Sequence, residues 1–554
     1  MNGVRALLLC WLALSAAFAH AETLFLPGTP EVDGLVAIYQ DAGQVFPTTS
    51  FPVSKAELAA FADRLDSVQA PGLSDRLLGY RDTVLRLDDS HDLVSVSGAA
   101  SFEYDGRTQD VQFDPGLPTA LQVLDVQRLF LQRLPLGAIK LDYSRDGGFE
   151  LGISARIERE YFFDPFYPTN LWESDPAGGN PVALENQDIM RGFLMYDFHP
   201  LQVTLGRDKI HLGPGAHSLW PSMDLPFLDM LRLRLPIGAL TGDLVISTLE
   251  NRQNGLDVPG DPNSGIEAPY VILMALHRYE WAFRTVRVGI GAMCIYARQS
   301  NAFNLGDIFP VFSWHQANIG PNNTVLVADA SWTPLPGLSL SGQFGLDDVN
   351  LGGVGVGDSG TPTIPAFIFD AGYTLGVGGS LSLQLGLEVG YTHYLWGNFQ
   401  LGAASDSKGI SPLARAIDRY YMDGGNALLP LTSPYGPGAT WAELTTRLHG
   451  IQWLDASISA RYFSRMTDPL YGEPVNLVDT EYAASSGIEG SPHIDTWSVG
   501  AKAAGLPFGF LTLTVEPTLY IQIDNRTTAQ TIWLEVCFGA SVHGTGVARI
   551  AHRN

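Results

Sequence analysis

The residues with the clearest potential for binding chemistry lie in one glycine-rich block, Leu205–Gly215, which continues to Trp220. Arg207, Asp208 and Lys209 place both signs of charge at the point where a strand runs into a turn. Guanidinium and ammonium groups bind anions and hydrogen-bond acceptors. The block therefore predicts either a sugar- or anion-binding corner inside the protein or a brace in which Arg207 pairs with Asp208. We favour the brace.

Aromatic side chains in or beside the long polar loops form a second group of candidates. An aromatic ring has an apolar face that can stack on a sugar ring, and aromatic residues also anchor proteins at membrane interfaces. Both uses remain open from the sequence. Together with Trp220, the candidate ligand-binding aromatics are Trp172, Trp314, Trp396, Tyr420 and Tyr421.

Signatures of catalysis and of metal binding are weak. Gly357–Gly360 reads Gly-Asp-Ser-Gly, as in the nucleophile loop of trypsin-like proteases, but the histidine site which that chemistry requires is missing from the sequence. Outside the N-terminal leader the cysteines are Cys294 and Cys537, whose spacing fits no metal site and leaves a disulfide open. We therefore expect no catalytic residues, no metal and no cofactor.

The elements that must position these residues are long alternating strands. In Leu511–Asp524 the apolar residues fall on one parity and the polar residues on the other, so the strand has one apolar and one polar face. The run exceeds the roughly 9–11 residues that a tilted strand needs to cross a bilayer. About 16 to 19 such segments follow one another, many with an aromatic residue near one end, as in membrane barrels.

A soluble sandwich would also show alternation, so the direction of the apolar face has to be judged from other features. Strand length, strand number and terminal aromatics favour an all-β transmembrane barrel, a large antiparallel outer-membrane β-barrel of about 16–18 strands. Charged residues such as Arg232 and Arg234 then face the lumen, and their leucine neighbours face lipid. Long polar loops alternate with tight turns, and the loop over residues 397–437 is expected to hold a helix that starts at Ser411.

The N-terminal part of the chain has a different pattern. Residues 1–21 resemble a secretory signal peptide, with an apolar run and a small-residue cleavage site. Residues 22–90 predict three short helices, the second of which begins with a capping box formed by Ser54 and Glu57. Such short helices must dock on something larger, so we expect a periplasmic helical plug followed by a barrel over residues 91–554.

Charge excludes one class of partner. The chain has 554 residues with a formal net charge of −25 and a pI of about 4.7. Nucleic-acid binding requires a basic face, so we expect no nucleic-acid partner. The expected surroundings are the lipid bilayer of the outer membrane, with the protein as a monomer.

Three segments resemble the capsule-assembly Wzi family. Gly34–Val45 with Pro47–Ala60 is similar to the helical opening of that family, and Leu205–Leu233 is similar to its Gly-Arg-Asp and Gly-Pro-Gly block. Phe344–Asp348 is similar to a further acidic segment. The likeness covers the N-terminal third well and the remainder only as a generic barrel.

The resemblance implies an outer-membrane barrel of about 18 strands that is closed on the periplasmic side by the helical segment. It also implies a lectin-like, non-enzymatic role in holding surface polysaccharide during capsule assembly. Phe51 stands where the family has tryptophan, and Ile550–Asn554 lacks the terminal aromatic usual for barrels. The alternatives are a porin or transporter for small solutes and a soluble, secreted carbohydrate-active enzyme.

Overall fold

The fold was analysed in a computed structural model of the chain. The described residues are 24–65, 73–84, 92–108, 136–145, 148–159, 184–225, 227–249, 270–299, 322–347, 363–378, 381–393, 396, 399–400, 414–417, 427–433, 435–436, 438–449, 451, 454–466, 475–476, 493–509, 511–524 and 528–550. The predicted signal peptide, residues 1–21, lies outside these ranges.

Eighteen antiparallel strands close into one barrel, in which the first strand pairs with the last. The sequence prediction of a large antiparallel outer-membrane barrel is confirmed. The strands are β1 Asp92–Arg107, β2 Gly137–Arg145, β3 Phe149–Arg159, β4 Leu184–Asp197, β5 Gln202–Asp208, β6 Leu228–Ile237, β7 Leu240–Leu249, β8 Tyr270–Ala282, β9 Val286–Gln299, β10 Asn322–Leu335, β11 Leu338–Leu346, β12 Pro365–Gly378, β13 Leu381–Thr392, β14 Ala439–His449, β15 Asp455–Met466, β16 His493–Phe508, β17 Leu511–Asp524 and β18 Ala529–Ile550.

The two faces of the strands differ as the alternation predicts. Leu205 on β5 and Ile458 on β15 are 57% and 60% exposed on the outside of the barrel. Arg232 and Arg234 on β6 are each 3% exposed and face the interior. A basic residue on the lipid side would cost roughly 2–4 kcal/mol at the bilayer midplane, so this orientation suits a membrane.

The two ends of the barrel also differ. Consecutive strands are joined by short turns at one end, for example between Ile237 and Leu240. At the other end the connections are long, and most of them lie outside the described residues. In outer-membrane barrels the short turns face the periplasm and the long loops face the exterior. Among the helices of the described residues, none is long and apolar enough to cross a membrane.

Three helices precede the barrel and pack together as the plug segment, residues 24–65 and 73–84. They are α1 Pro30–Asp41, α2 Lys55–Leu65 and α3 Leu73–Val84. The predicted capping box is present, because the Ser54 N–H donates to Glu57 Oε2 at 3.0 Å and the Glu57 N–H donates to Ser54 Oγ at 3.2 Å. The plug segment encloses its own apolar cluster, in which the Tyr39 hydroxyl donates to the Phe61 carbonyl at 2.8 Å.

Two features differ from the sequence predictions. Within the loop expected to hold a helix, Ala414–Ile417 is a strand that pairs with Ala427–Pro430. Local capping signals were overridden there, because pairing across the loop satisfies the same backbone groups. The lumen is also not polar throughout, since an apolar cluster that includes Met274, Leu276 and Met293 lies on the inner wall.

Candidate functional site

The in-folded loop, residues 209–225 between β5 and β6, enters the barrel and packs against this apolar inner wall. Leu212, Leu219 and Trp220 are fully buried in the same cluster as residues from β6 to β15. The Trp220 Nε1–H donates to Asp329 on β10 at 3.1 Å. The glycine-rich block therefore folds back into the lumen.

The plug segment meets the in-folded loop inside the barrel. Ser50–Phe51 pairs as a short antiparallel strand with His211–Leu212, and the Gly213 N–H donates to the Thr49 carbonyl at 3.1 Å. We call this pairing the junction. Because the plug segment lies beside the short turns and the loop descends from the other end, the junction joins two insertions that enter the lumen from opposite sides.

Thr48 and Thr49 of the plug segment are held by a buried charge network on the barrel wall. Glu280 accepts hydrogen bonds from the Thr48 hydroxyl at 2.8 Å and from the Thr49 N–H at 2.9 Å. Arg278, which is fully buried, donates to Thr49 Oγ1 at 2.8 Å and to Glu280 at 3.0 Å, and pairs with Asp329 at 2.7 Å. Buried charges are tolerated only when they are paired in this way.

A second part of the network holds Ser50 and helix α2. Arg232 donates to Ser50 Oγ at 2.6 Å and to Asp243 at 2.9 Å. Arg234 forms an ion pair with Glu57, whose carboxylate also caps α2. Burial raises the pKa of Glu57, but Arg234 and the Ser54 N–H outweigh this effect and hold the pKa below its usual value. The plug segment is therefore held by charged hydrogen bonds that are absent from the unfolded chain.

A second polar cluster joins the in-folded loop to β11–β14. The His217 Nδ1 lies 2.6 Å from Glu388, which also accepts a hydrogen bond from the Trp441 indole at 2.6 Å. Burial lowers the pKa of His217, but Tyr435 and Glu388 outweigh burial and raise the pKa well above its ordinary value. A positive His217 thus bridges the loop to the wall.

A cavity of about 440 Å³ lies between the plug segment, the in-folded loop and the wall from β9 to β14. This volume is within the roughly 300–1,000 Å³ typical of small-molecule sites. The cavity is the candidate binding site of the described residues. Those residues contain no group of three or more His, Cys, Asp or Glu side chains placed to hold a metal ion, and Cys294 and Cys537 form no disulfide with each other.

The predicted brace between Arg207 and Asp208 is wrong in its partners. Arg207 pairs with Asp229 directly across the strand, at 2.7 Å, while Asp208 pairs with Arg191 at 2.6 Å. Consecutive residues on a strand point to opposite faces, so Arg207 and Asp208 cannot reach each other. Arg207 shares its strand face with the exposed Leu205, away from the lumen. In the in-folded loop, the Lys209 ammonium donates to the Met223 carbonyl at 3.4 Å.

The aromatic candidates divide into two groups. Trp220 and Trp396 are fully buried, and the Trp396 indole donates to Thr432 Oγ1 at 3.1 Å, so neither ring presents a face for stacking on sugar. Both side chains pack inside the barrel because the segments that carry them fold inward. The other four, Trp172, Trp314, Tyr420 and Tyr421, lie outside the described residues.

Sequence reasoning placed Arg232 and Arg234 in the lumen but missed Thr48, Thr49, Arg278 and Glu280 of the network. Thr48 and Thr49 carry no signal beyond their position in a stiff, proline-flanked connector. Arg278 and Glu280 offered a clearer one, because they fall on one face near the end of a long strand. Charges at that spacing on a membrane strand indicate lumen contacts, although their partners cannot be found without the fold.

Comparison with known proteins supports the fold and leaves the family open. No protein-family model and no curated protein sequence matches the chain. Among solved structures, the chain is similar to Wzi, an outer-membrane protein of Escherichia coli involved in group 1 capsule assembly and described as a carbohydrate-binding β-barrel, with a TM-score of 0.54 and 12% identity. That match covers 94% of this chain and 99% of the other.

Two further solved structures are less similar. Pseudomonas aeruginosa OprD gives a TM-score of 0.38 at 9% identity over 82% of this chain and 95% of its own. Acinetobacter baumannii OccAB4 gives 0.38 at 11% identity over 82% and 99%. The protein is an outer-membrane β-barrel, and this is as far as the comparisons reach.

Proposed function

We propose that the protein binds surface polysaccharide in the outer membrane and takes part in capsule assembly, as a member of the Wzi group of barrels. The observation that carries the proposal is the junction. A channel for solutes needs an open lumen, whereas here Phe51 of the plug segment is paired with His211 of the in-folded loop inside the barrel. A barrel filled in this way suits a binding role.

The resemblance to a carbohydrate-binding barrel supports the same proposal, because it extends over 94% of the chain. The proposal assigns no catalytic residue. The buried carboxylates Glu280 and Asp329 are engaged by Arg278 and the plug segment, which is a structural use. The proposed partners are the lipid bilayer and the polysaccharide, with the protein acting as a monomer.

The test uses full-length protein extracted in detergent, with heat-modifiable gel mobility as the criterion of folding. Retention of high-molecular-weight surface polysaccharide purified from the host strain is measured on immobilised protein, beside the same protein after heat denaturation. The proposal expects saturable retention by the folded protein alone. Retention that is equal for folded and denatured protein, or absent from both, would overturn it.

Planar-bilayer recording separates the proposal from the porin alternative. We expect the junction to obstruct the lumen, so that the intact protein gives no steady ion conductance. Stable conductance steps from the intact protein, together with no retention of polysaccharide, would replace the proposed function with solute transport.

A further inference from the structure

The cavity runs from the short-turn end of the barrel to the in-folded loop. Arg447 lies near the turn that joins β14 to β15, lines the cavity, and keeps 48% of its side chain exposed. The inner end is lined by Gly213 and by His211, which is 1% exposed. The half-exposed Arg447 therefore marks an opening at the short-turn end, which faces the periplasm in outer-membrane barrels.

The two sides of the cavity have different chemistry. The plug segment contributes apolar groups, among them Val36 and the ring of Phe46. The barrel wall contributes hydroxyl and amide groups, including Ser339, Gln384 and Thr445. A sugar ring has the same division, with an apolar face of C–H groups and an edge of hydroxyl groups that donate and accept hydrogen bonds.

Two carboxylates at the inner part of the cavity favour a ligand rich in donors. Asp370 on β12 and Glu388 on β13 are direct cross-strand partners, and both line the cavity. Glu388 is hydrogen-bonded to His217 and to the Trp441 indole, and the Ser341 hydroxyl donates to Asp370 at 3.3 Å. A carboxylate oxygen can accept more than one hydrogen bond, so hydroxyl or ammonium groups of a ligand would add donors to the same oxygens.

The overall charge of the cavity disfavours anions. Arg287 and Arg447 are its guanidinium groups, and Arg287 already donates to the Phe46 carbonyl at 2.7 Å and to Ser331 Oγ at 2.6 Å. The lining carboxylates, Asp33, Asp370, Glu388 and Glu443, outnumber these two groups and His217, which is already paired with Glu388. At the inner part of the cavity a uronic acid or a phosphate would thus lie beside carboxylates and away from the half-exposed Arg447.

An orphaned polar atom points to a ligand independently of the carboxylates. Among the described residues, His211 Nδ1 has no hydrogen-bond partner although the side chain is 99% buried and lines the cavity. Burial lowers the pKa of His211 to about 4, so its ring is neutral, with one nitrogen that donates and one that accepts. A buried polar atom without a partner is costly, and a ligand hydroxyl at the inner end of the cavity would supply one.

We propose that this cavity is a periplasm-facing binding site for one uncharged or amino-bearing sugar unit, which lies between the apolar side of the plug segment and the polar side of β11–β14. The inference rests on the proposed function and gives it a binding site inside the barrel. It names the class of sugar that enters, because the site recognises hydroxyl and ammonium donors and rejects carboxylate.

The test measures small sugars on the full-length protein in detergent by saturation-transfer-difference NMR. The probes are glucose and galactose, glucosamine, and glucuronic acid, each titrated to tens of millimolar. We expect saturable signals from a neutral sugar or from glucosamine, with the dissociation constant of glucuronic acid at least about tenfold higher. Equal binding of all three classes, or tightest binding of the acid, would overturn the inference.

Variants locate the signal. Ser339→Trp fills the cavity from β11 and is expected to abolish saturable binding, while Ser498→Trp, on the lumen face of β16 and not part of the cavity lining, should leave it unchanged. Asp370→Asn should weaken glucosamine and strengthen glucuronic acid. Thr445→Trp replaces Ser339→Trp if the latter lacks heat-modifiable mobility.

Wild-type protein provides a readout that does not depend on the folding of any variant. Bound sugar should slow hydrogen exchange at the amides of Gly213, Gly215, Ala216 and His217, which line the cavity. Sugar binding that survives both tryptophan variants and leaves these amides unchanged would refute the cavity site alone, if polysaccharide retention persists. Loss of both retention and sugar binding in the wild type would refute the proposed function as well.

Discussion

Replacement of Glu280 by glutamine tests whether the buried network holds the plug segment in the barrel. The side chain is 1% exposed, accepts hydrogen bonds from Thr48 and Thr49, and neutralises Arg278 together with Asp329. Glu280→Gln keeps the shape and removes one charge. Breaking a buried ion pair costs about 3–5 kcal/mol. We expect the lower end, about 3 kcal/mol, because the one amide oxygen of glutamine still accepts from one of the two threonines.

The loss should appear as easier opening of the plug segment. With 1.36 kcal/mol for each factor of ten, about 3 kcal/mol raises the open population by about two orders of magnitude. Native-state hydrogen exchange at the amides of α1 and α2 measures this population directly. Glu516→Gln, on β17 and outside the network, is the matched control. Equal exchange in E280Q and E516Q protein would show that the network does not hold the plug segment.

Three further predictions address the in-folded loop, the strands and the lipid face. Because folding raises the pKa of His217, the ion pair between His217 and Glu388 stabilises the loop fully below about pH 6.5, the ordinary histidine value, and this stabilisation is lost as pH rises through the raised pKa. Over that pH range, hydrogen exchange of the loop amides should accelerate by more than the intrinsic exchange rate does. His217→Gln should remove this additional pH dependence. Gly206 has φ +125°, and an added Cβ would clash with the backbone of β4, so Gly206→Ala should lower the melting temperature of the barrel. Gly376→Ala is the control, because a Cβ at Gly376 would meet open space, and equal melting temperatures of the two variants would contradict the prediction. Leu444→Arg on the lipid face should lower the free energy of folding into liposomes by up to roughly 2–4 kcal/mol, and Ser498→Arg on the lumen face should lower it by less. The reverse order would show that the bilayer lies against the other face of the strands.

The sequence predicted the parts of the fold that depend on local patterns. The alternation in Leu511–Asp524 depends only on the two-residue period of a strand, so the strand is present as predicted. The capping box of Ser54 and Glu57 is equally local, because its partners are three residues apart. A barrel repeats one local rule, which is why a single sequence predicted its class and approximate strand count.

Contacts across the lumen were not predictable in the same way. Thr49 and Glu280 are separated by 231 residues, and nothing in either neighbourhood identifies the other. Trp396 was expected in a loop, and its position there gave no indication that it would be buried beside Thr432. The pairing of Arg207 with Asp208, in contrast, could have been rejected from the sequence, because adjacent strand residues face opposite sides.

The two insertions are linked to each other through one shared carboxylate. Asp329 accepts the indole N–H of Trp220 from the in-folded loop and pairs with Arg278, which in turn donates to Thr49 of the plug segment. Removing either insertion would leave buried charge with fewer partners, so each one lowers the cost of burying the other. In the binding role proposed above, the same contacts would fix the walls of the cavity and keep its donors and acceptors in place before any ligand arrives.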